Sequence, residues 1–113
     1  MPFIRTTVNV KMSESAKDAL KRDFGQKISL VSGKAECYLM LAFQDDVTMA
    51  YQGDTSPCAM VEVSLLGKAD PNELDALTAA LTEGISRELP ISKDRIYVNY
   101  LEFDYWGVSG HNV

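Results

Sequence analysis

The second residue of the chain is a proline, and it opens a segment with the pattern of a core strand. Removal of Met1, which is usual when a small residue follows, would leave the Pro2 nitrogen as a free secondary amine. An α-amino group has a pKa of about 7.7–8.0, and apolar surroundings or a nearby ammonium group lower that value. An amine whose pKa lies near neutrality is a suitable general base. The start of the chain is therefore a candidate for proton-transfer chemistry.

The remaining reactive side chains form no familiar catalytic motif. The chain has no nucleophile elbow, phosphate-binding glycine loop, dinucleotide fingerprint or His-x-x-x-His pair. Cys37 and Cys58 lack the spacing of a zinc site or a disulfide framework, so both are expected to be small buried hydrophobic side chains. His111 lies in a polar C-terminal segment, where a solvated side chain is expected. We expect no metal and no cofactor.

Length and composition indicate one folded domain over residues 1–113. The chain is 46% apolar and 24% charged, close to the averages of globular proteins. Its net charge of -5 argues against a nucleic-acid partner. The sequence contains neither an apolar run long enough to span a membrane nor a secretory signal, so no membrane partner is expected. The expected location is the cytoplasm, with export without a signal peptide as the alternative.

The first half of the chain predicts a strand, a helix and a second strand. Apolar residues alternate over 2–10, which indicates a strand. Ser13 is a suitable N-cap for a helix that ends by Gly33. The apolar stripe of this helix consists of Ala16, Leu20, Phe24 and Ile28. Residues 37–43 are apolar on both faces, which favours an interior strand.

The second half repeats this order after a short strand or turn at 49–51. Residues 58–66 predict a strand, and residues 96–101 predict the last long strand, followed by a tail over 105–113. Between the two strands, Asp70 suits an N-cap, Pro71 the first helical position and Glu73 the reciprocal capping position. The apolar stripe of this second helix consists of Leu74, Leu77, Leu81 and Ile85.

The two halves predict a duplicated βαβ unit of the α+β class, with pseudo-repeats at about 2–43 and 58–101. An offset of 59 pairs Glu14 with Glu73, Lys34 with Lys93 and Tyr38 with Tyr97. Two right-handed units joined edge to edge give a four-stranded mixed sheet with both helices on one face. The other face is left bare although its strands are apolar, so a partner subunit is expected to cover it.

Several segments also carry a family resemblance. They are 1–4 (MPFI), 32–34 (SGK), 49–53 (MAYQG), 57–59 (PCA), 61–63 (VEV), 65–68 (LLGK) and 92–100 (SKDRIYVNY). In their order and spacing, over nearly the whole chain, the sequence resembles the macrophage migration inhibitory factor family of the tautomerase superfamily. The resemblance implies two βαβ units per chain and a homotrimer with active sites at subunit interfaces. That assembly agrees with the bare sheet face predicted above.

The resemblance also implies roles for single residues. Pro2 would be the catalytic base, which takes a proton from the carbon beside a keto group and returns it across an enol intermediate without a cofactor. Lys34 would lower the pKa of the amine and hold a carboxylate or enolate oxygen of the substrate. The backbone N–H of Leu66 would contact the substrate.

Further residues would complete the pocket. Tyr97 and Asn99 are two apart on a strand and so share a face, and the resemblance implies that they reach the pocket of a neighbouring subunit. Tyr38, Trp106 and Val108 are candidates for a wall that accepts an aromatic group.

The implied activity is that of a cofactor-independent isomerase, a keto–enol tautomerase of the phenylpyruvate or dopachrome type acting on 2-keto acids. One alternative is a signalling or interaction protein with a vestigial pocket. Another is hydration or decarboxylation of an unsaturated acid, which needs further pocket arginines and acids; Arg5, the early candidate, alternates away from Pro2. The animal cytokines carry a second cysteine three residues after the first, where this chain has Val61, so no redox role is expected.

Overall fold

A computed structural model describes residues 1–113. The strands and helices are β1 (Pro2–Val8), α1 (Glu14–Lys27), β2 (Met40–Gln44), β3 (Ala59–Leu66), α2 (Pro71–Glu88), β4 (Ile96–Phe103), β5 (Gly107–Val108) and β6 (His111–Asn112). Three short 3₁₀ turns occupy Ile28–Leu30, Glu36–Tyr38 and Lys93–Arg95. The tail predicted after β4 is thus a small hairpin of β5 and β6.

The main sheet has the order β2-β1-β3-β4 and mixes both kinds of pairing. β1 is parallel to β2, β3 is parallel to β4, and β1 and β3 join the two halves antiparallel. The two helices contact each other and pack on the same face of the sheet. The predicted α+β class, with two βαβ units and both helices on one face of a four-stranded mixed sheet, is therefore confirmed.

The core lies between the helices and the sheet, as the alternation of the strands predicts. On β1 the even-numbered side chains face the helices, and on β3 the odd-numbered ones do. The helices contribute the predicted positions, of which Leu20, Phe24, Leu77, Leu81 and Ile85 are completely buried. The two central strands therefore rest on a continuous apolar layer, which fixes the position of the N-terminal residues.

Replacing Phe24 with alanine is expected to lower the free energy of unfolding by about 3 kcal/mol or more. The ring is fully buried and packs against Phe43 with ring centroids 6.3 Å apart, so the substitution leaves a cavity between α1 and β2. Denaturant unfolding at a fixed protein concentration measures the change. Leu30→Ala, at a side chain that is 40% exposed, is the matched control and should cost much less. Equal losses for the two variants would contradict the packing described here.

The second strand differs from its prediction in both extent and position. β2 begins at Met40 rather than Cys37, and it lies at the edge of the sheet rather than inside it. Residues Glu36–Tyr38 form a 3₁₀ turn that carries the Tyr38 side chain into solvent. One side of this segment packs against the core through Leu39, Leu41 and Phe43. The other side is apolar because Met40 lies on the uncovered sheet face and at the wall of a cavity, and not because it also lies in the core.

The two halves correspond at an offset of 57 rather than 59. The helix N-caps Ser13 and Asp70 are 57 positions apart, as are the first residues of β1 and β3. At this offset Tyr38, in a turn, does not correspond to Tyr97, which lies within β4. The offset of 59 was based on identical side chains in the two halves. The buried positions of the two helices repeat at the offset of 57 instead.

The N-terminus of α2 confirms two of its three predicted residues. The Asp70 carboxylate accepts the backbone N–H of Asn72 at 2.8 Å, and Pro71 begins the helix. Glu73 does not close a reciprocal cap. Its carboxylate accepts the backbone N–H of Ser32 at 3.1 Å and the Ser32 hydroxyl at 2.6 Å. Glu73 therefore joins α2 to the loop that follows the first helix.

The sheet face opposite the helices, termed the open face, carries uncovered apolar side chains as predicted. Met40, Tyr97 and Leu101 are 67%, 58% and 60% exposed. Near the middle of this face, Arg5 pairs with Glu62 at 3.1 Å. An edge strand with such side chains is a surface that commonly marks an interface between proteins.

Candidate active site

A cavity of about 330 Å³ opens at the beginning of β1. We call it the N-terminal cavity; its walls are Met1, Pro2, Cys37, Tyr38, Met40, Trp106, Gly107 and Val108. Three separate parts of the chain supply these residues: the start of β1, the turn that leads into β2, and the hairpin after β4. The structure thus brings Tyr38, Trp106 and Val108 together around Pro2.

Pro2 is buried at the first position of β1. Its side chain lies on the same face as Ile4, and in the sheet register it is opposite Leu65 of β3. The first residue of a strand is a position that tolerates a proline, which cannot donate a hydrogen bond to the ladder. The fold therefore holds the Pro2 nitrogen at the edge of the core, beside the cavity.

Lys34 follows Gly33, whose φ of 79° lies in the left-handed region that glycine adopts without strain. The turn brings the Lys34 Nζ to 2.8 Å from the backbone carbonyl oxygen of Leu66, to which it donates a hydrogen bond. Burial and then the positive charge of Lys34 hold the pKa of the Met1 amino group below its usual value. The cation therefore lies close enough to the N-terminus to affect its protonation.

The backbone of Leu66, at the end of β3, is hydrogen-bonded to both Met1 and Lys34. Its N–H donates to the Met1 carbonyl oxygen at 3.1 Å, and its own carbonyl accepts from Lys34. The N-terminus, Lys34 and Leu66 are thus joined by direct contacts. The side chain of Leu66 takes no part in these hydrogen bonds.

Tyr97 and Asn99 lie on the open face of β4, away from the N-terminal cavity of their own chain. Tyr97 is opposite Met60 in the sheet register, whereas Pro2 is opposite Leu65. Five residues of strand separate these two positions, or about 16 Å. The predicted shared face is confirmed, and both side chains lie on the sheet face opposite the buried Pro2 of their own chain.

The ring of Tyr97 is supported on one side. It packs edge-on against Tyr51 with ring centroids 4.9 Å apart, and the Arg95 guanidinium lies 5.0 Å from the centre of the Tyr51 ring. Arg95 also forms an ion pair with Asp54 at 3.0 Å and donates to the Pro57 carbonyl oxygen at 3.0 Å. Tyr97 is therefore exposed yet held against an anchored loop.

The two cysteines differ in their surroundings. Cys58 is buried, as predicted, whereas Cys37 is exposed at the wall of the N-terminal cavity, so the prediction of a buried Cys37 is wrong. The 3₁₀ turn at Glu36–Tyr38 accounts for the difference, because it lifts residue 37 out of the predicted strand. Cys37 and Met40 are cavity residues that the sequence analysis did not assign to the site, because it placed both in a core strand.

No group of three or more histidine, cysteine, aspartate or glutamate side chains is arranged to hold a metal ion. His111 is exposed on β6. None of the helices combines the length and the apolar character needed to cross a membrane.

The two βαβ units and their four-stranded mixed sheet define a class of small α+β proteins. In this chain the candidate site lies at the N-terminus, where Lys34 and the end of β3 approach Met1 beside the buried Pro2. A sequence profile of the family "Macrophage migration inhibitory factor (MIF)" matches residues 1–112. The chain therefore belongs to the macrophage migration inhibitory factor family, and the resemblance seen in the sequence is confirmed.

Individual relatives agree with this assignment. The macrophage migration inhibitory factor of Xenopus laevis is 26% identical over 104 residues, which cover 92% of this chain and 90% of that protein. The crystal structure of Leishmania major MIF2 superposes with a TM-score of 0.94 and 32% identity, covering 100% of this chain and 97% of that one. A homologue from Prochlorococcus marinus has a TM-score of 0.86 at 28% identity, with 97% of each chain covered.

Proposed function

We propose that the protein is a keto–enol tautomerase of phenylpyruvate-like 2-keto acids that works from the cytoplasm without a cofactor. The observation that carries the proposal is that Lys34 and the Leu66 backbone are hydrogen-bonded to each other, and Leu66 to the Met1 carbonyl, directly beside the buried Pro2. Burial and a nearby cation both lower the pKa of an amine, which favours its uncharged form. An uncharged amine can remove a proton from carbon, which is the first half of a tautomerisation.

In this proposal Pro2 takes the proton from the carbon beside the keto group, and the resulting enolate is protonated on oxygen by water to give the enol. In the reverse direction the enol loses its O–H proton to water and the protonated Pro2 amine gives a proton to that carbon. Lys34 holds the substrate carboxylate or the enolate oxygen, where its positive charge offsets the negative charge that develops. Tyr38, Trp106 and Val108 form the wall against which the aromatic group of a phenylpyruvate-like substrate packs. The apolar wall also keeps the base partly dehydrated.

The proposal requires removal of Met1. With Met1 in place the Pro2 nitrogen is an amide, which is not basic, and the Met1 carbonyl occupies the N–H of Leu66. Removal of Met1 frees both the amine and this N–H, which then becomes available to a substrate oxygen. Loss of Met1 therefore provides both a basic Pro2 nitrogen and a free Leu66 N–H.

We further propose that the active protein is a homotrimer in which Tyr97 and Asn99 complete the site of a neighbouring subunit. Along the sheet, the register positions of Tyr97 and the chain's own Pro2 are about 16 Å apart, and Tyr97 is exposed; both facts support this arrangement. The open face is the surface that the neighbours cover.

Substituting Leu101 with lysine tests the assembly. Leu101 is 60% exposed on β4. In the trimer a charge at this position would be buried without a partner. We therefore expect light scattering to show that the variant is a monomer. Ala79→Lys, on the exposed side of α2, is the control and should remain trimeric. A trimeric Leu101→Lys variant, or a monomeric unsubstituted protein, would contradict the proposed interface.

The activity is tested by the rate of phenylpyruvate enol–keto conversion with protein whose mass shows that it begins at Pro2. A rate well above the uncatalysed background is expected, and the same protein with Met1 retained should be inactive. No rate from a folded trimer that begins at Pro2 would refute the tautomerase. It would favour a signalling or interaction role, or another reaction in the same cavity.

A further inference from the structure

We propose that Glu73 is a positioning residue that holds Lys34 at the N-terminal site through Ser32; the inference rests on the proposed function. The sequence assigns Glu73 to a helix cap, but its carboxylate leaves the cap and accepts two hydrogen bonds from Ser32, at 3.1 Å from the backbone N–H and 2.6 Å from the hydroxyl. Ser32 is two residues before Lys34.

The turn between Ser32 and Lys34 has few other attachments. Val31 is buried, and the backbone N–H of Lys34 donates to the Val31 carbonyl oxygen at 3.0 Å, which closes the turn. Gly33 has open space around it, because a Cβ added there would have no atom within 4 Å. Beyond this, the side chain of Lys34 reaches Leu66. The exposed side of the turn is therefore fixed to the rest of the fold by the Glu73 carboxylate.

Both bonds to Ser32 have a charged acceptor, and such bonds are stronger than bonds between neutral groups. Because α2 packs on α1 and on the sheet, it is a firm support for the carboxylate. Loss of the two bonds would let the turn move and would spread the Lys34 ammonium over several positions. The cation would then stabilise the negative charge on the substrate less well.

The test is a set of substitutions in protein that begins at Pro2, with kcat/KM for phenylpyruvate as the readout. Glu73→Ala should lower kcat/KM about fivefold, whereas Glu73→Gln should restore it, because an amide accepts the Ser32 N–H and donates to its hydroxyl. Asp70→Ala is the matched control at the same helix end. It loses a cap and some thermal stability but leaves Ser32 bound, so kcat/KM should stay unchanged.

A double-substitution cycle distinguishes positioning of Lys34 from a general loss of structure. In a Lys34→Ala background, Glu73→Ala should change kcat/KM by less than about twofold, because the residue on which it acts is gone. Equal losses in both backgrounds, no loss from Glu73→Ala, or the same loss from Asp70→Ala would each overturn the inference. If Glu73→Ala fails to fold, Ser32→Ala removes the shorter of the two bonds and should show the same coupling to Lys34.

Amide hydrogen exchange tests the contact independently of turnover. The Ser32 N–H should exchange faster in Glu73→Ala than in the unsubstituted protein and in Asp70→Ala. Unchanged exchange would overturn the inference even if the tautomerase is active. An inactive unsubstituted protein with the expected exchange would instead refute the proposed function while leaving the Glu73–Ser32 contact in place.

Discussion

Replacing Pro2 with alanine is expected to lower kcat/KM for phenylpyruvate by a factor of about 10²–10⁴, the usual contribution of a general base. Alanine is small enough for Met1 still to be removed, so the variant begins with a primary amine in place of the secondary one. The primary amine can rotate about its N–Cα bond, whereas the pyrrolidine ring of proline holds the nitrogen in one orientation. Steady-state kinetics on samples of verified mass measures the loss.

The variant should keep its fold and assembly, because residue 2 is the first position of β1 and the ladder from Phe3 onward is unaffected. Thermal unfolding and light scattering provide the control. Turnover within a factor of two of the unsubstituted protein, in a sample free of Met1, would show that the proline is not the base. A misfolded variant would be recognised by a changed assembly mass in light scattering or by a changed midpoint of thermal unfolding.

Replacing Lys34 with alanine should lower kcat/KM by a factor of about 10²–10³, as is typical when a group that stabilises developing negative charge is removed. It should also move the acid limb of the pH–rate profile to higher pH. The uncharged Pro2 amine is the proposed active form. Lys34 contributes to lowering the pKa of the Met1 amino group, and we expect it to lower the pKa of the Pro2 amine in the same way once Met1 is removed. Without that cation the pKa rises, so a higher pH is needed to deprotonate the base.

Lys68→Ala is the matched control for this prediction. Lys68 follows the end of β3 two residues after Leu66, but its side chain is 89% exposed and its ammonium lies 4.0 Å from Glu102. Its removal should leave both kcat/KM and the acid limb unchanged. An acid limb that does not move in Lys34→Ala, or that moves to lower pH, would contradict the assigned electrostatic role.

Local sequence signals predicted the elements that depend on local physics. Alternation in 2–10 gave β1, and Asp70 with Pro71 marked the start of α2, because strand faces and helix ends are determined by the residues themselves. The one-sided burial of Leu77, Leu81 and Ile85 also followed from their spacing. The open face was predicted because the strands are apolar on both faces, whereas the two helices cover only one face of the sheet.

The errors arose where a residue's partner is distant in sequence. Nothing local distinguishes a Glu73 that closes its own helix from one that binds Ser32, 41 residues away. In the same way, Cys37 is apolar enough for a core strand, and only the position of the hairpin after β4 makes its neighbourhood a cavity wall. Candidate site residues came mainly from the family resemblance, because Lys34 and Leu66 carry no catalytic signal of their own.

An NMR titration of protein labelled with ¹⁵N-proline shows whether the Pro2 nitrogen is an uncharged base at neutral pH, as the proposed tautomerase requires. The nitrogens of Pro57, Pro71 and Pro90 are amides and do not titrate, so the signal that moves with pH belongs to Pro2. We expect a midpoint clearly below the usual α-amino value of about 7.7–8.0, and this midpoint should coincide with the acid limb of kcat/KM. A midpoint at or above that value in folded protein that begins at Pro2 would show that the nitrogen is not such a base.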